Sequence, residues 1–102
     1  MEFILIHKPI GPLPPEALKT GLEFLKTLLA SPSSVVPRGK IIAAYNARAQ
    51  WLQVCIWEAP SAEALMPFLE TMRGAGFDTQ VIPAEKVEAA IPKWEKDLAQ
   101  RL

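Results

Sequence analysis

Trp51-Leu52-Gln53-Val54-Cys55-Ile56-Trp57-Glu58 decides how this chain folds. Side chains alternate across an extended strand, so Trp51, Cys55 and Trp57 take one face while Leu52, Val54 and Ile56 take the other. Gln53 shares the face of Cys55 and Trp57. Both faces are apolar, which the half-wet strand of an exposed sheet would not be. The opening run Phe3-Ile4-Leu5-Ile6-His7 repeats the pattern, with Phe3 and Leu5 opposed to Ile4 and Ile6. Each strand therefore needs cover on two sides.

Working outward, Gly39 to Asn46 reads as a strand joined to Gln50 to Glu58 by the short polar link Ala47-Arg48-Ala49, the spacing of an antiparallel hairpin. Glu2 to Lys8 is the first strand, ended by the proline-rich stretch from Pro9 to Pro15. Pro15 suits a first helical position and Glu16 favours the helix dipole. The helix they open runs to Ala30, with Leu18, Leu22, Leu25 and Leu29 as its expected sheet-facing stripe. Ser61 is the expected N-cap of a second helix, whose buried stripe is Leu65, Leu69 and Met72 and which Pro67 should kink or split. Gly74 and Gly76 stop it. Phe77 to Ile82 supplies a fourth strand that Pro83 ends. A trailing helix from Ala84 to Gln100 sets Val87, Ile91, Trp94 and Leu98 on one side, with Pro92 bending it midway.

The 102 residues suffice for one domain, and 50% hydrophobic content excludes a disordered chain. Eleven basic residues balance eleven acidic ones, so the electrostatic footprint of a nucleic-acid or anionic-membrane binder is missing. The apolar run at the start is too short for a membrane span or signal peptide, and one cysteine excludes an intrachain disulfide. A cytoplasmic location is the expectation.

The order strand, helix, strand, strand, helix, strand is ferredoxin-like, class α+β, with an extra C-terminal helix on a single domain spanning residues 1–102. Two right-handed crossovers place both helices on one side of a four-stranded antiparallel sheet. The other side, about 400 Å² in projection, is then a bare apolar platform. Sheet-on-sheet pairing of two copies is the expected cover, and the trailing helix could clamp the partner or close a barrel mouth.

In this layout the chain resembles the dimeric α/β-barrel branch of ferredoxin-like proteins, and especially small bacterial members similar to the muconolactone isomerase family. The resemblance rests on Phe3 to His7, the hairpin from Gly39 to Trp57, Pro60-Ser61-Ala62-Glu63-Ala64-Leu65 and Phe77 to Pro83. It implies a homodimer enclosing a pocket for a small apolar or cyclic metabolite. Ring-modifying isomerases, cofactor-independent monooxygenases and haem-degrading oxygenases all occur in this branch.

His7, whose ordinary pKa lies near neutrality, is the candidate catalytic residue, able to move a proton at a carbon beside a carbonyl if its face lines the pocket. A histidine satisfied at the sheet edge is the alternative. Tyr45, Asn46, Gln53, Cys55 and Trp57 supply the greasy wall with a few oriented polar groups that small-molecule pockets use. His7, Asn46 and Trp57 are also residue types that the resemblance associates with cofactor-free and haem-degrading oxygenases. Arg38, with Lys40 beside it, is the candidate for a substrate carboxylate. Cys55, among apolar neighbours and without an adjacent base in sequence, is expected to be an inert thiol. With one histidine and one cysteine no zinc-type ligand cluster can be written, and nothing in the sequence calls for a cofactor. The functional expectation is a small-molecule-binding homodimer, as an isomerase or oxygenase using His7, or as a binding or assembly module without catalysis.

Overall fold

Strands form where β-branched and aromatic residues concentrate: β1 (Glu2–Pro9), β2 (Lys40–Ala47), β3 (Leu52–Glu58) and β4 (Phe77–Ala84), in a computed structural model describing residues 1–102. β2 and β3 make the expected antiparallel hairpin. β1 lies between β3 and β4, antiparallel to both, in the sheet order β2-β3-β1-β4. Helices α1 (Pro15–Ala30), α2 (Pro32–Val35), α3 (Met66–Gly74) and α4 (Val87–Arg101) complete the chain. With α1 and α3 as crossovers this is the ferredoxin-like βαββαβ arrangement, extended by a C-terminal helix.

Several boundaries differ from the sequence reading, each for a local reason. Trp51 is not part of β3: it adopts left-handed backbone (φ 51°) after a 3-10 turn at Arg48–Gln50, and the strand starts at Leu52. β4 continues through Pro83, because β4 is an edge strand and an edge position tolerates a residue without an N–H. Pro67 divides the second crossover as expected, into a 3-10 turn at Glu63–Leu65 and α3, where the proline occupies the first turn. Ser61 Oγ accepts from the Ala64 amide at 3.3 Å, the cap its position predicts.

The helices and the sheet meet on one face only. Phe3, Leu5 and His7 of β1 and Cys55 and Trp57 of β3 are buried there, against Leu28 of α1, Leu65 of the 3-10 turn, and Phe68 and Met72 of α3. Phe68 is the hub, its ring 5.5 Å from His7, 5.4 Å from Trp57 and 5.9 Å from Phe24. On the opposite, outer face Ile4, Ile6, Leu52, Val54, Ile56 and Ile82 are each only half-buried.

α1 turns differently from the expected stripe. Leu28 is buried and Ala17, Gly21, Phe24 and Leu25 are half-buried, whereas Leu18, Leu22 and Leu29 are exposed. Two sets of apolar residues compete for the inward side, and the set carrying Phe24 and Leu28 reaches Phe68. Leu25 alone belongs to both.

α4 projects from the body. Its stripe forms as the spacing predicts, yet Val87, Ile91, Trp94 and Leu98 are all between 45% and 65% exposed, and Ala90 is its one buried residue. The radius of gyration is 16.1 Å, against about 13 Å for a compact chain of this length. The accessible surface is 7246 Å², against about 5,700 Å² for a compact monomer of this mass.

Candidate functional site

His7 is placed by pairing on both sides of β1. Its register partners are Gln53 on β3 and Thr79 on β4, and the diagonal neighbour on β3 is Cys55. All four side chains point to the helix-covered face, since opposed residues share a face. His7 thus faces its own helices and lies away from the outer platform where a sheet-on-sheet pocket would open.

The imidazole is fully engaged. Nδ1 lies 2.7 Å from Thr79 Oγ1 and Nε2 lies 3.3 Å from Cys55 Sγ. A neutral ring carries one proton: with the thiol donating to Nε2, Nδ1–H donates to Thr79 Oγ1. His7 is 1% exposed, its ring meets that of Phe68 at an interplanar angle of 63°, and burial pushes its pKa down to about 4. Burial pushes the Cys55 thiol the other way, up to about 11. Both groups are uncharged at neutral pH, because charge separation in low-dielectric surroundings costs more than the hydrogen bond returns. No base adjoins Cys55 in sequence, yet the fold supplies one: 48 residues separate the pair, and β1–β3 pairing brings the His7 ring into contact with the thiol.

Cys55 and Gln53 also wall a cleft. The inward side of α1 does not seat fully on the sheet, leaving a cavity of about 190 Å³ bounded by Leu25, Leu28, Ile41, Asn46, Gln53 and Cys55. A second, of about 130 Å³, lies between α1 and α3 and is bounded by Leu25, Gln53, Met72 and Phe77. Gln53 borders both, so its amide is the polar group at the junction of two apolar clefts. Asn46 is its register partner on β2. His7 lines neither cleft; Cys55 is the member of the pair that does.

Of the remaining sequence candidates, Asn46 and Tyr45 border the first cleft, and Trp57 and Arg38 do not. Between Ile41 and Ala43 the β2–β3 register slips by one residue, a bulge that flips the parity of β2. Asn46 consequently joins Gln53 on the helix side, while Tyr45 opposes Val54 of the outer face and is 70% exposed at the strand edge, where it still borders the rim of the first cleft. Trp57 is fully buried against Phe68, and its Nε1–H finds no acceptor. Its role is core. Arg38 sits in the turn from Val36 to Gly39, with left-handed backbone (φ 60°), bordering a shallow depression with Lys40 and Glu58. That depression is at the far end of the sheet, about 17 Å along β2 from Asn46 by strand rise. The cleft runs along β2 as far as Ile41, but Lys40 opposes Glu58 on the outer parity, and neither Arg38 nor Lys40 borders it.

Sequence reasoning missed Thr79 and Phe68. Thr79 is one polar residue in the alternating strand Phe77–Ala84, and only the non-consecutive β1–β4 pairing sets it beside His7. Phe68 lies one turn from Leu65 and Met72, but the expected stripe ran through Leu69, which is only half-buried while Phe68 is fully buried. No group of three His, Cys, Asp or Glu side chains converges in the fold, and no helix is long and apolar enough to cross a membrane. No protein-family profile matches the chain, and no curated protein is similar enough in sequence to serve as a relative.

Proposed function

We propose that this protein acts as a homodimer of the dimeric α/β-barrel kind that binds a small apolar or cyclic metabolite in the cleft between α1 and the sheet. The single observation that carries the reading is surface without a partner. The chain exposes about 1,500 Å² more than a compact monomer of its mass. Covering that excess in two subunits would hide about 3,000 Å², within the range of obligate homodimers. The outer-face residues Ile4, Ile6, Val54 and Ile56 and the α4 stripe of Val87, Ile91, Trp94 and Leu98 are the apolar surfaces available for it.

The ligand assignment is supported by composition of the cleft, whose apolar walls from Leu25, Leu28 and Ile41 end on the amides of Asn46 and Gln53 and the thiol of Cys55. Proton transfer of the muconolactone-isomerase type would use the uncharged Cys55–His7 pair, with His7 acting behind the thiol. A binding module without catalysis is the second reading, favoured by the occupation of both His7 nitrogens. The buried free thiol of Cys55 fits a reducing cytoplasm.

Native mass spectrometry of freshly purified protein tests subunit count and retained ligand together. The expected species is twice 11.3 kDa with a small non-covalent mass attached. An 11.3 kDa species alone at micromolar concentration rejects the dimer, and a ligand-free dimer that no cyclic ketone or lactone stabilises rejects the binding role.

A further inference from the structure

We propose that Cys55 is a nucleophile that adds reversibly to an α,β-unsaturated carbonyl compound lodged in the α1 cleft, with His7 as its proton acceptor and Thr79 as the positioning residue for the imidazole. This goes beyond the binding reading but rests on the same cleft as the ligand's seat. Three geometric observations carry it. Sγ lies 3.3 Å from Nε2, Nδ1 lies 2.7 Å from Thr79 Oγ1, and Cys55 borders the cavity while His7 does not. Nucleophile, base and orienting group thus stand in line, with the nucleophile alone facing the space a ligand would fill. Asn46 and Gln53 border the same space, and their amide N–H groups can donate to an oxygen that gains charge.

The step balances without an oxidant, a leaving group or water. As Sγ bonds to the β-carbon, the thiol proton passes to Nε2, and the π electrons move through the Cα–C bond onto the carbonyl oxygen. The resulting enolate is held by the cleft amides while imidazolium keeps its Nδ1–H on Thr79. Nε2–H then protonates the α-carbon, so the sum is addition of S–H across C=C, and reversal restores both partners. Acyl transfer would instead need a second nucleophile, and the walls of Leu25, Leu28 and Ile41 disfavour an activated water there. The resting pair is uncharged, with values near 11 and 4. Proton transfer must therefore accompany bond formation, as with a hydroxyl nucleophile and its histidine.

The test treats the full chain with 2-cyclopenten-1-one and follows adduct formation by intact-protein and peptide mass spectrometry, with cyclopentanone as the saturated competitor. One adduct at Cys55 is expected under native conditions, slowed by cyclopentanone, and His7→Gln should slow it by about a hundredfold, the lower end of general-base contributions. Thr79→Val should slow it too and shift its pH–rate profile, and Thr79→Ser should restore both, which keeps the test decisive should His7→Gln lose its native near-UV circular dichroism. Equal rates in wild type, His7→Gln and Thr79→Val, or labelling only in denaturant, overturn the proposal. Thermal stabilisation by cyclopentanone without any Cys55 adduct overturns it as well, while leaving the cleft's binding role standing.

Discussion

Acidification from about pH 7.5 to about pH 4.5 should weaken the folded state by roughly 2 to 3 kcal/mol through His7 alone. The folded imidazole holds a pKa of about 4 against an ordinary 6.5, because burial beneath Phe68 opposes its charged form. Between those values the unfolded chain binds a proton that the folded chain refuses. Stability from this group is therefore whole above pH 6.5 and is lost progressively as pH falls toward 4, at up to about 1.4 kcal/mol per pH unit. The loss is roughly 1 kcal/mol at pH 5.5 and reaches the larger figure a unit lower. Urea unfolding at fixed protein concentration reads it as a fall of about 1 to 2 M in the midpoint. Carboxylates titrate in the same window, so the diagnostic quantity is the difference between wild type and His7→Gln, whose glutamine can still meet Thr79 without titrating. Parallel pH dependences for the two proteins between pH 6.5 and pH 4.5 would refute a neutral, buried His7.

Phe68→Ala should cost about 3 to 5 kcal/mol, since the ring is fully buried against His7, Trp57 and Phe24 at once. Thermal unfolding measures the loss, and water entering beside His7 should raise the imidazole pKa toward 6.5, visible by NMR titration. Gly76→Val should destabilise by at least about 2 kcal/mol, because Gly76 holds φ +95° and an added Cβ would lie 2.7 Å from Leu13 Cδ2. Chemical denaturation of that variant against wild type checks it.

The strand runs, the three long helices and the ferredoxin-like order are legible because their causes are local: alternation of period two in Phe3 to His7, helical spacing in Leu65, Leu69 and Met72, and the stops at Pro9, Gly74 and Gly76. The α4 stripe is equally local, and its spacing is found intact even though nothing in the chain covers it. The facing of α1 was not legible, since two interleaved apolar sets, one of leucines and one carrying Phe24 and Leu28, satisfy the same periodicity and only the position of Phe68 selects between them.

Amino-acid order alone determined the succession of strands and helices, though not boundaries such as Trp51, and that both sides of the central strands are apolar. Tertiary structure alone decided which side the helices cover, which of Tyr45 and Asn46 joins Gln53, and that His7, Cys55 and Thr79 touch. The physical reason is range: a strand's pattern is written in its neighbours, whereas a one-residue bulge at Ile41 and Ala43 reverses facing downstream. Contacts between residues 48 and 72 positions apart exist only once β1 has paired on both edges.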